Sequence, residues 1–215
     1  MIPLSDDIPT RSFPIVTVIA IGINVFIYFQ TFFRLPFPPD MVFNEYGLVP
    51  YSLVRSPVAN YPTIYYSMFL HAGFWHLAGN MLYLWIFGNN IEDVLGKFRF
   101  ILFYLVCGTI AALGHVATDF NSQIPMVGAS GAVSGVLGAY LVLFPFARVK
   151  TLIFIVIFIT VIRIPALVLL GLWILMQVAN GMAQGGGGAG VAWFAHIGGF
   201  LAGMLLIMPF RGMRT

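Results

Sequence analysis

The sequence predicts an all-α fold, a polytopic membrane protein whose six transmembrane helices form one domain over 1–215. Three observations predict it. Charged residues are only 8% of the 215 while hydrophobic residues are 60%, against about 25% charged in a soluble domain. The apolar residues fall in blocks long enough to cross a bilayer, which takes ~20 residues of helix. The basic residues stand singly between those blocks and the net charge is only +3. That distribution orients a chain in a membrane and gives no basic patch for nucleic acid.

The first span is expected at 13–33. Asp6 and Asp7 precede it, and its apolar run exceeds a signal-peptide core, so it reads as a retained span. The segment 34–62 is too polar to span. Its Met41, Val42, Phe43, Tyr46, Leu48 and Val49 suit the membrane surface. The second and third spans are expected at 64–89 and 100–118. The single cysteine, Cys107, lies in the third and reads as helix packing. A polar loop, 119–125, precedes a short, glycine-rich fourth span at 128–146. Beyond Arg148 and Lys150 an apolar stretch is broken by Arg163 and Pro165. The fifth span is therefore assigned to 164–178, with the residues before it bending along the inner surface. Gly185 to Gly188 form a flexible loop, and the sixth span is expected at 191–209. Arg11, Lys97, Arg99, Arg148, Lys150, Arg211 and Arg214 fall on one side of this topology, and only Arg34 and Arg55 on the other. Both termini are thus expected in the cytoplasm.

Polar residues inside spans are costly and point to function. Three groups lie toward the outer side. His76 and Asn80, four apart, share a helix face. Gly128, Ser130, Gly131, Ser134 and Gly135 open the fourth span, with small residues at close-packing spacing. His196 stands beside Gly199 and Gly203, a GxxxG face that draws a neighbouring helix near. Each group alone also reads as helix packing. Together they supply a hydroxyl, an imidazole and hydrogen-bond donors, the parts of an acyl-transfer site.

These motifs resemble the rhomboid family of intramembrane serine proteases. The pattern His71, His76, Asn80, the pattern Gly128, Ser130, Gly131, and the pair Ala195, His196 followed by Gly199 and Gly203 occur in order on successive spans. The stretch from Gly88 to Gly96, containing Glu92, is similar to the family's segment after its second span. The resemblance implies a serine endopeptidase that needs no cofactor and no metal, cleaving in or near the transmembrane helices of substrate proteins within the lipid bilayer. Ser130 would be nucleophile and His196 its base, with Asn80, His76 and the Ser130 N–H binding the oxyanion. A cavity lined by His71, His76, Asn80, Ser130, Gly128 and Gly131 would admit water. The gate would lie at about 165–177, including Trp173, with the loop 184–190. A prokaryotic plasma membrane suits the compact six-span core. The chain departs from the family at Ser134, where an aromatic residue usually packs on the catalytic histidine, which leaves open what orients His196. The Trp-Arg pair often seen in the first outer loop is absent.

Three other readings are weaker. A non-catalytic relative that escorts transmembrane segments would usually lack the serine or histidine. A channel or transporter would need charged residues at mid-membrane, where only Arg163 is a candidate. A metal site from His71, His76, His115 and His196 lacks ligand spacing and a carboxylate or cysteine.

Overall fold

A computed structural model describes residues 1–155, 158–184 and 191–212. A short strand, β1 (Ile2–Ser5), leads to the long helix α1 (Ile15–Phe33). Four short helices follow, each opened by proline at its first turn: α2 (Pro39–Tyr46), α3 (Pro50–Arg55), α4 (Pro57–Asn60) and α5 (Pro62–Tyr66). A 3₁₀ turn, Ser67–Phe69, precedes α6 (Phe74–Tyr83). A π-helical turn, Leu84–Gly88, carries that helix on into α7 (Asn89–Leu95). Gly96, at φ 77°, ends it in the left-handed conformation that favours glycine. Then come α8 (Lys97–Val116) and α9 (Ser130–Leu143). A hairpin of β2 (Arg148–Ile155) and β3 (Phe158–Pro165) follows, and the chain closes with α10 (Ala166–Gln184) and α11 (Trp193–Gly212).

The helical membrane bundle agrees with the fold class read from the sequence. Among the described residues four helices, α1, α8, α10 and α11, are long and apolar enough to cross a bilayer, with α9 a shorter apolar helix. The expected second span at 64–89 is instead a short helix and a turn, with its long helix starting only at Phe74. The stretch expected to bend along the inner surface is the β2–β3 hairpin, to which β1 adds in the antiparallel order β1-β2-β3. Its sequence is dense in β-branched and aromatic residues, Thr151-Leu-Ile-Phe-Ile, then Phe158-Ile-Thr-Val-Ile, which favour strands. A continuous apolar run alone does not separate strand from helix.

Helix α9 is the centre. All nine residues from Ala132 to Tyr140 are buried, so it is enclosed by protein on every side. Its 14 residues make a helix of about 21 Å, short of the ~30 Å hydrocarbon layer. Helix α1 shows the opposite pattern. Its buried residues are polar, Thr17, Asn24 and Thr31, spaced seven apart. Asn24 and Thr31 donate to the carbonyls of Ala20 and Ile27 in their own helix, and the apolar faces are left for lipid.

Glu92, 2% exposed, fastens α1 to this centre. Its carboxylate accepts from the N–H groups of Val16 and Thr17 at 3.0 and 2.8 Å and from the Thr17 hydroxyl at 2.8 Å. The first N–H groups of a helix lack intrahelical acceptors, and that end favours negative charge. Asp93 adds bonds from the Arg11 and Ser12 backbone and the Ser12 hydroxyl. Glu92→Ala removes the buried acceptor and is expected to destabilise the fold by at least about 2 kcal/mol. Glu92→Gln, which keeps one acceptor oxygen, should lose less. Unfolding in mixed detergent micelles measures the difference.

Candidate active site

Ser130 begins α9 and His196 lies in the first turn of α11. The two helices are drawn together by glycines. A Cβ built on Gly199 would fall on the carbonyl oxygen of Gly131, one on Gly203 on that of Gly135, and one on Gly138 on that of Phe200. Only bare backbone fits that approach, and it brings Ser130 Oγ to 2.8 Å from His196 Nε2. The other ring nitrogen, Nδ1, is 2.7 Å from Gln177 Oε1. Gln177 Nε2 donates to the Trp173 carbonyl at 3.3 Å, which sets which end of the amide faces the histidine. An amide oxygen only accepts, so Nδ1 carries the proton. Nε2 is then a bare acceptor for the Ser130 hydroxyl, and His196 is held in the tautomer of a general base.

Two tryptophans flank the ring. Trp173 lies 5.9 Å away centroid to centroid, tilted by 36°, and Trp193 meets it edge-on at 6.2 Å. The aromatic packing absent at position 134 is supplied from α10 instead. Ser134 donates to the Ser130 carbonyl at 2.6 Å.

The dyad opens into a cavity of about 520 Å³ lined by His76, Asn80, His115, Ser130, Trp173 and His196, among others. Asn80 Nδ2 donates one hydrogen to the His76 carbonyl at 3.0 Å. Its amide carries a second. Gly128, at φ 126°, adopts a conformation that L side chains rarely reach, and a Cβ there would stand 2.7 Å from the His76 ring. That glycine lets the loop before Ser130 pass against His76.

The expected cavity wall needs correction at three residues. His71 is 1% exposed and stands behind His76, ring centroids 5.1 Å apart. It props the ring and does not face the cavity. Gly128 and Gly131 line a separate void of about 10 Å³ that shares Met126, Val127 and Ser130 with the cavity wall, because both glycines serve close packing. Trp173, expected as a gate residue, does line the cavity and also packs on the histidine. The expected gate loop 184–190 falls almost wholly outside the described residues. The sequence reading missed Gln177 and His115 as site residues. A usable signal for Gln177 was present: the one amide within the expected fifth span, 164–178, four residues after a tryptophan. Among the described residues no three His, Cys, Asp or Glu side chains gather into a metal site.

Gly203→Val is expected to push α9 and α11 apart and cost about 1–3 kcal/mol. A lowered midpoint of unfolding, with the loss of Ser130–His196 hydrogen bonding read by imidazole NMR, checks it.

Comparison with known proteins bears on this arrangement. Residues 59–212 match the family model described as Rhomboid domain. The chain is similar to Rhomboid protein 1, mitochondrial, of Saccharomyces cerevisiae, 30% identical over 171 residues, or 75% of this chain and 44% of that protein. It is also similar to two Bacillus subtilis proteins. With Rhomboid protease GluP it shares 46% identity over 72 residues, 34% of this chain and 14% of the relative. With Putative rhomboid protease YdcA it shares 43% over 72 residues, 34% of this chain and 36% of the relative. The chain spans less than half the length of each of these relatives.

Proposed function

The chain belongs to the rhomboid family, and on that premise we propose that it is a serine endopeptidase, cutting peptide bonds in or near the transmembrane helices of substrate proteins. Protease-named relatives support the reaction class. The observation that carries the serine mechanism is the chain of contacts from Ser130 Oγ to His196 Nε2 and from Nδ1 to Gln177.

In this reading Ser130 Oγ attacks the scissile carbonyl as its proton passes to His196 Nε2. His196 then returns that proton to the leaving amine. Gln177 keeps the ring fixed and accepts from Nδ1–H throughout. Being neutral, it does not offer the imidazolium the charge stabilisation that a carboxylate would. Trp173 supplies part of that through its ring face, within the ~6 Å range of a cation–π contact. The oxyanion would be met by the second Asn80 amide hydrogen, by His76, and by the Ser130 N–H, which lies in a first helical turn without an intrahelical acceptor. The cavity would admit the water that deacylation needs. Substrate would approach past α10. The bias of basic residues supports cytoplasmic termini and a site facing the outer side, and we assign the protein to a prokaryotic plasma membrane.

In reconstituted vesicles with a panel of fluorogenic transmembrane substrates, wild type is expected to cleave, while Ser130→Ala and His196→Ala lose all cleavage and keep their fold. Cleavage that survives Ser130→Ala would remove it as nucleophile. Failure of wild type to react with a fluorophosphonate would move the reading to a non-catalytic protein that escorts transmembrane segments. Gln177→Ala should lower kcat about 10- to 30-fold with KM little changed, the effect of one lost hydrogen bond of ~1.5–2 kcal/mol to a charged ring. Asn80→Ala should lower kcat by about 10²-fold or more, as for other oxyanion donors.

A further inference from the structure

The β2–β3 hairpin takes no part in the site. It hangs from the ends of α9 and α10 that lie opposite Ser130 and His196, on the side where β1 and the end of α11 also lie. Its root is packed into the protein, with Val149 and Thr151 fully buried. The distal half projects, with Phe154, Ile159, Val161 and Ile162 exposed at 54, 67, 50 and 43%.

The register fixes what each face presents. Opposed residues of an antiparallel pair point to one face, and alternate residues share it. Lys150 stands opposite Arg163, Leu152 opposite Val161, and Phe154 opposite Ile159, all on the same face. On β1, Ile2 aligns with Leu152 and Ser5 with Lys150. From root to tip that face therefore carries one cationic rung and then two apolar ones, with Arg148 a further cation at the root.

The cationic rung is a defect in isolation. Like charges directly opposite each other destabilise a sheet. Lys150 and Arg163 are both exposed, and neither has an acidic partner among the described residues. A layer of phosphates would resolve that conflict, and acyl chains just beyond it would cover the apolar rungs. Basic residues beside an exposed apolar surface are the signature of binding to an anionic leaflet. The free edge of β3 limits the depth. Its outward N–H and C=O groups need water, and an open sheet edge is not tolerated in hydrocarbon.

We propose that the hairpin is an interfacial anchor: it lies at the boundary between headgroups and acyl chains of the leaflet on the β1 side, with Lys150 and Arg163 on anionic lipid phosphates and Phe154, Ile159 and Val161 among the upper acyl carbons.

The test uses the full chain with Ile159→Cys carrying a nitroxide. Cys107 is fully buried, so the label goes to the new site, with unmutated protein as control. In vesicles containing phosphatidylglycerol, the label should collide with oxygen more than with a water-soluble nickel chelate and report a depth near the headgroup–acyl boundary. In phosphatidylcholine alone, or with Lys150→Gln and Arg163→Gln together, nickel accessibility should rise about fivefold or more. A water-like label in phosphatidylglycerol overturns the proposal, as does spin–spin broadening from a second copy packed on the hairpin. Equal depth in both lipids and in the double variant overturns the phosphate contact. None of these readouts involves proteolysis, so they stand or fall apart from the catalytic reading.

Discussion

The backbone contact between α9 and α11 is the constraint on which the structure turns. Serine and histidine side chains are short, and each is held near the start of a rigid helix. They reach 2.8 Å only because Gly138 on α9, and Gly199 and Gly203 on α11, leave no Cβ between the backbones. In lipid, apolar association gains little from the hydrophobic effect, so close packing of small residues is what holds helices together. The same contact thus folds the bundle and sets the dyad. It also explains the burial of α9. A helix gripped on one side by α11 and on another by α8, where Gly135 abuts Cys107 and Gly131 abuts Ala111, has no side left for lipid.

What the sequence reveals follows from how local each signal is. Ser130, His196 and the glycine spacings are readable because polar atoms are expensive in an apolar run and GxxxG reports a helix contact directly. The pairing of those two helices is an inference from complementary faces, and the structure has the same faces meeting. His71 was misplaced because five-residue spacing before a helix start says nothing about which side of His76 it takes. Gln177 was passed over because a lone amide in a span also reads as interhelical glue; its meaning depends on which face of α10 meets α11, a tertiary fact.

The fold shows the same division. Apolar length reveals helices, and it fails at the hairpin, where run length suits either element. From the sequence, Glu92 and Asp93 read with Lys97 and Arg99 as a structural charge cluster of an inner loop. Glu92 is instead buried and gathers the open N–H groups of α1, while Asn90 Nδ2 donates to the Ile8 carbonyl and Tyr140 to Asp6. The N-terminal segment, 75 to 134 residues away in sequence, supplies the partners, so no window along the sequence contains the interaction.

Helix α10 joins the two questions left by the missing aromatic at 134. It carries two of the groups that hold His196: Gln177 on Nδ1 and, one turn earlier, Trp173 on the ring face. It also borders the cavity through Trp173. In the proposed mechanism α10 is the side past which substrate comes. Any outward swing of α10 large enough to admit a helix would draw Gln177 off Nδ1 and free the imidazole to change tautomer or rotate. An aromatic on α9 would have kept its packing through that motion, because α9 does not move relative to its own serine. Placing the support on α10 therefore makes the base competent only when α10 is seated. In the proposed mechanism, closure over a bound segment and activation of the serine would then be one event, and an empty, open site would be left with a poorly held base.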